Sequence, residues 1–187
     1  MARRMVMLPA LLSATAALSG CRTVLIESHR LPAESKLAFE RTLVIVDVPE
    51  QLGSEKARRA AESELAGRLV ALNASPSFQL IAAEDLGDLG QMKKWAAQEG
   101  FDGLVVVWLE SIVTTQFPSL PAAEGFDEVP ARDLFTLRVS ASVVSLKEDR
   151  EVWTGVVRQF DPYPLTKRLP AVARVVARKL KSEGLAD

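Results

Sequence analysis

Gly103-Leu104-Val105-Val106-Val107-Trp108-Leu109 is apolar on both of its faces, and this run decides the fold. A strand with one wet face alternates polar and apolar residues, so an unbroken apolar run marks a central strand covered on both sides. Upstream, Thr42-Leu43-Val44-Ile45-Val46-Asp47-Val48 is a β-branched run ended by Pro49 and reads as a second buried strand. Between them Gly53-Ser54 opens a helix, with Ser54 as N-cap and Glu55 in its first turn. Ala57, Ala61, Leu65, Leu69 and Leu72 give that helix one apolar stripe, and Asn73 through Pro76 end it. Phe78-Gln79-Leu80-Ile81 reads as a short strand. A second helix is expected over about 85–99, with Leu86, Leu89, Met92, Trp95 and Ala96 inward and Gly100 as its stop.

Downstream the period changes. Residues 114–132 hold Pro118, Pro121, Gly125 and Pro130 and read as a long loop. Phe135, Leu137, Val139, Ala141 and Val143 then alternate with Thr136, Arg138, Ser140 and Ser142, the pattern of a strand with one wet face. Lys147–Arg150 makes a polar turn, and Glu151–Arg158 returns as the hairpin partner. A last helix starts near Thr166, with Leu169, Val172, Ala173, Val176 and Leu180 inward and Gly184 beyond its end. The order β-α-β-α-β-β-β-α predicts an α/β fold. It is one mixed sheet with right-handed crossovers, helices packed on it and a closing antiparallel meander.

The N-terminus carries a different message. Arg3 and Arg4 precede an apolar stretch from Met5 to Leu18 that ends in small residues, the order of a removable secretory signal. At about 14 residues it falls short of the roughly 20 that span a bilayer as a helix. Leu18-Ser19-Gly20-Cys21 resembles the lipobox of bacterial lipoproteins, in which the Cys sulfur is diacylated and the chain is cut just before it. Cys21 is the only cysteine, so no disulfide framework is available. The expected organisation is a signal peptide at 1–20, a lipid-anchored tether at 21–40 and one domain at 41–187. As a flexible coil the tether would reach roughly 25 Å, and fully extended roughly 60 Å. Val24–Ile26 is the one short extended piece expected in it. Arg22 follows the Cys where an Asp would signal inner-membrane retention, so the resemblance favours the outer membrane facing the periplasm. Loss of Arg3 and Arg4 moves the formal net charge from −1 to −3, and nothing in that balance points to nucleic acid.

The domain also resembles a group of envelope proteins: the curli-secretion lipoprotein, the penicillin-binding-protein-activating lipoprotein and the N-terminal domain of the Tol translocation protein. The likeness rests on the opening strand Leu43–Val48 and on Phe78–Ile81. It extends to Gly100-Phe101-Asp102-Gly103-Leu104-Val105 and to the aromatic after the last turn in Val152-Trp153, and so spans about 41–184. Asp149-Arg150 stands where the group often has Thr-Gly. The resemblance implies a non-catalytic envelope role. Residues 114–132 are too short for the pair of transmembrane strands that pore-forming members carry.

Chemistry-bearing residues are few. His29 is the only histidine and falls in the tether, the sole cysteine is committed to acylation, and no metal-ligand spacing or phosphate loop appears. Asp47, Asp102 and Glu110 lie near strand ends, where they serve either as a carboxylate site or as caps and solvated termini. The reading is therefore non-enzymatic, with no cofactor and no metal. Two surfaces are candidates for binding. Phe117, Leu120 and Phe126 in the long loop either fold back on the sheet or meet an envelope protein partner. Lys167, Arg168, Arg174 and Arg178 on the last helix either form a solvated face or lie on anionic lipid near the anchor. The first functional expectation is a lipid-anchored adaptor or assembly factor of an envelope complex, with a filled core. The alternative is an accessory lipoprotein of a lipid or small-molecule transport system, with an open cavity lined by Trp108 and Trp153.

Overall fold

The computed structural model describes residues 22–30, 39–49, 55–80, 88–119, 132–160 and 165–185. Their elements run β1 (Arg22–Arg30), β2 (Thr42–Asp47), α1 (Glu55–Arg68), β3 (Ala74–Pro76), α2 (Leu89–Gln98), β4 (Gly103–Phe117), β5 (Arg132–Ser145), β6 (Arg150–Phe160) and α3 (Leu165–Ser182). Six strands form one sheet in the order β1-β6-β5-β4-β2-β3. β2 is parallel to β3 and β4, while β4, β5, β6 and β1 are antiparallel in turn. This is the expected mixed α/β sheet with its closing meander.

α1 and α3 pack side by side on one face. The stripe Ala57, Ala61, Leu65, Leu69 and Leu72 and the stripe Leu169, Val172, Ala173, Val176 and Leu180 meet Val105, Val107, Leu137, Val139 and Trp153 in the main core. Each fully buried Leu or Val there contributes about 1.5–3 kcal/mol relative to exposure. Among the described residues, α2 is the helix that packs on the other face. Met92 and Ala96 close over Leu43, Ile45, Leu104 and Val106, with Leu89 and Trp95 at the margin. Asp88 caps α2 by accepting the Gln91 N–H at 2.9 Å, and Gly100, at φ +77°, ends it. There the Phe101 N–H reaches the Ala96 carbonyl, a closure that a left-handed glycine permits. The Ser54 cap expected for α1, and Leu86, lie outside the described residues.

Three expectations change. The strand expected at 78–81 forms instead at Ala74–Pro76, and Ser77–Gln79 is a short 3-10 turn. Asn73, left-handed at φ +47°, starts the short strand early, and the buried Glu62 carboxylate captures the N–H of Phe78 at 2.9 Å. The loop 114–132 is shorter than expected, because β4 runs on to Phe117 and pairs down to Arg132. Within the expected tether at 21–40, Arg22–Arg30 is a nine-residue edge strand antiparallel to β6, longer than the piece expected at Val24–Ile26. Its sequence lacks alternation, and it is ordered by β6's backbone rather than by its own pattern.

Candidate functional site

The two long edges of the sheet differ. At the β2/β3 edge, α1 supplies Glu62, which is wholly buried. Its Oε1 accepts the Val46 N–H at 3.0 Å, the Ser77 hydroxyl at 2.6 Å and Arg58 Nη1 at 2.9 Å. Arg58, also buried, is held on its other side by Glu55 at 2.7 and 2.8 Å. Hydrogen bonds from Arg58, opposed by partial burial and helped by Arg59, hold the Glu55 carboxyl down at about 2. A buried acid and base thus satisfy each other, and the acid also takes the Val46 N–H of β2 beyond the end of its pairing with β3. Sequence reading missed the cluster; the signals were Glu55, Arg58 and Glu62 at helical spacing on the inward side of α1.

The three strand-end carboxylates do not converge. Asp47, at the C-terminal end of β2, is pushed up by burial, partly offset by Arg58. Asp102, at the opposite end of the sheet, accepts the N–H groups of Glu40 and Arg41 at 2.9 Å each and pairs with Lys147 at 3.0 Å. Burial raises its carboxyl, but these bonds win and hold it below the usual range. A shallow cleft beside it, about 310 Å³, is lined by Glu40, Phe101, Leu146 and Lys147 among others. Glu110 sits at the β4 bulge, bonded to the Ser140 hydroxyl and to Arg138 at 2.5 Å. The Ser140 bond leads in holding its carboxyl down, against burial and with help from Arg138. Asp102 and Glu110 are bound up in local structure.

The other end of the sheet gathers what the N-terminus needs. β1 begins at Arg22, one residue after Cys21, and Arg22 lies opposite Phe160 in β6. Phe160 lies opposite Thr136, and Thr136 opposite Val113, so one cross-strand row runs from β1 to β4. Residues directly opposite in antiparallel strands share a face. This face is the one away from α1 and α3, since Ile112 and Leu137 beside the row belong to the main core. Val113 is 54% and Phe160 38% exposed. The next row on this same face, two residues inward, holds Ser111, Arg138 and Arg158, both arginines exposed. No described helix packs over these rows. His29, in β1 opposite Thr154, is exposed.

The other named candidates divide. Cys21, Leu120 and Phe126 lie outside the described residues; Phe117 is the last residue of β4, opposite Arg132. Lys167, Arg174 and Arg178 are exposed, and Arg174 approaches Glu64 of α1 at 3.6 Å. Arg168 departs from the expected basic surface: it is 4% exposed, its guanidinium 4.9 Å from the centre of the Phe135 ring. Its cation sits over an aromatic of β5, a cation–π contact. Trp108 and Trp153 line no common cavity. Trp153 is fully buried under α1 and α3, and Trp108 is half-buried on the opposite face.

No family model matches the chain, and no curated protein matches it by sequence. Solved structures similar to it include the PelC dodecamer from Paraburkholderia phytofirmans, with a TM-score of 0.50 and 14% identity over 89% of this chain and 99% of that one. A point variant of the same PelC dodecamer follows at 0.49 and 13%, covering 83% and 96%. The lipoprotein GNA1162 from Neisseria meningitidis gives 0.44 and 13%, covering 76% and 98%. At this identity, the PelC likeness shows a shared fold.

Proposed function

We propose that this chain is a lipid-anchored envelope protein, acylated at Cys21, whose domain acts without catalysis as an adaptor or assembly factor of an envelope complex. The observation that carries the reading is the position of β1. The lipobox ends at Cys21 and strand pairing starts at Arg22, so the anchor is set directly on the edge of a folded sheet. Two acyl chains, at about 0.8 kcal/mol per buried methylene, hold such a domain stably on a bilayer. Among the described residues no helix is long and apolar enough to cross a membrane, so the acyl chains are what the reading relies on. The filled core favours the adaptor over the transport accessory, because Trp108 and Trp153 face opposite ways. PelC, which shares the fold, assembles as a dodecamer, and this supports a role in a multi-copy complex. The resemblance to the envelope group and Arg22 after the Cys favour the outer membrane, facing the periplasm.

The test is purification of the tagged protein from its native envelope in mild detergent, with intact-mass analysis and identification of what co-purifies. A mature chain starting at an acylated Cys21 is expected, together with a defined envelope complex that is lost when Phe117, Leu120 and Phe126 become Ser. A Cys21→Ser variant is expected to leave the membrane fraction. A lone monomer carrying bound lipid or another small molecule would replace the adaptor with the transport reading.

A further inference from the structure

We propose that the sheet-face row Val113–Thr136–Phe160, over which no described helix packs and beyond which the paired β4–β5 arm continues to Phe117 and Arg132, lies against the phospholipid bilayer that holds the anchor. The inference rests on Cys21 being acylated and deepens that reading by fixing the orientation of the domain. Chain length carries the argument. Arg22 is already in register with Phe160, and the acylated residue is its covalent neighbour, so the anchor is tethered within about 3.8 Å, Cα to Cα, of the residue that begins the row. A domain held that closely cannot turn its opposite end to the membrane. The row presents surface suited to the lipid–water interface. The exposed large apolar side chains among the described residues are Val70, Leu80, Val113 and Phe160. Val70 and Leu80 flank β3 at the far edge of the sheet; Val113 and Phe160 share this one row, two strands apart. Aromatic side chains settle at headgroup level. Two residues deeper along β6, Arg158 stands at the height of lipid phosphates, where an exposed guanidinium is attracted to anionic headgroups.

The experiment uses the full acylated protein in vesicles of phosphatidylethanolamine and phosphatidylglycerol containing a headgroup-nitroxide lipid. Cys21 is the only cysteine and its sulfur carries lipid, so Val113→Cys, Phe160→Cys and Glu148→Cys each offer a single thiol for a fluorescent label. Glu148 lies in the β5–β6 turn, roughly 30 Å away at about 3.3 Å per strand residue. Nitroxide is expected to quench the labels at 113 and 160 and to leave the label at 148 bright, with Arg158→Glu reducing the quenching at 160. If the acylated protein floats with the vesicles and the three labels are quenched alike, or not at all, the orientation is overturned and the anchor stands. Labels shielded from an aqueous quencher yet out of reach of the nitroxide would show that a protein, such as a second copy, covers the row, which also overturns it. A protein that fails to float and lacks acyl mass overturns both readings. Circular dichroism checks each variant; if Phe160→Cys does not fold, Val113→Cys decides.

Discussion

The two faces of this sheet are built differently. One lies under two long helices whose side chains fill it from Val105 to Trp153, with Arg168 drawn into its margin. The other has, among the described residues, a single ten-residue helix that covers β2, β4 and Val144 of β5, and the half around Arg138, Arg158 and Phe160 is bare of described helix. Volume holds the first face. Pins hold the covered corner of the second: Asp102 ties the approach to β2 to the turn after β5, and Lys93 of α2 pairs with Asp149 of that turn. The difference shows where this fold spends its side chains. The larger buried cluster lies under α1 and α3, and among the described residues no helix covers the bare half.

The sharpest break of that contrast is Trp153→Ala. Trp153 is fully buried, and a Cβ at neighbouring Gly155 would collide with its ring, so the fit is tight. A loss of about 3–5 kcal/mol is expected in chemical denaturation. A loss below about 1 kcal/mol would mean this face is not the well-packed one.

Asp102→Asn tests the pins. At neutral pH it is expected to cost about 1–3 kcal/mol, by weakening charge-assisted bonds to two backbone N–H groups and Lys147. The folded carboxyl titrates below its usual value, so its contribution is full above the unfolded value near 4 and fades as pH falls through the folded one. The stability gap between the two proteins should therefore narrow in denaturation series below about pH 4. A gap independent of pH would assign the cost to packing instead.

The smallest effect is expected on the bare half. Arg158→Ser, two residues from the end of β6 on the exposed face, should leave thermal stability in detergent within about 0.5 kcal/mol. A larger loss would mean that another part of the chain covers this surface.

Much of the covered face was legible in advance because amphipathic periodicity reports burial directly. The stripes of α1 and α3 and the alternation from Phe135 to Val143 all lie where their spacing puts them. Less of the candidate site was legible. Cys21 is singled out by the lipobox-like Leu18–Cys21 in the proposed reading, but the row formed by Val113, Thr136 and Phe160 joins residues distant in sequence and exists only through strand register.

The sequence by itself determined the strands β2, β4, β5 and β6, the helices α1, α2 and α3 and the mixed sheet, since each depends on local spacing and residue type. Tertiary structure decided the rest. Arg22–Arg30 became a strand because β6 offered an unpaired edge, and Ala74–Pro76 displaced Phe78–Ile81 because Glu62 took the Phe78 N–H. Arg168 is turned inward, with its guanidinium over Phe135 of β5. In each case the partner is a backbone or side-chain group far away in the chain, and no local pattern encodes it.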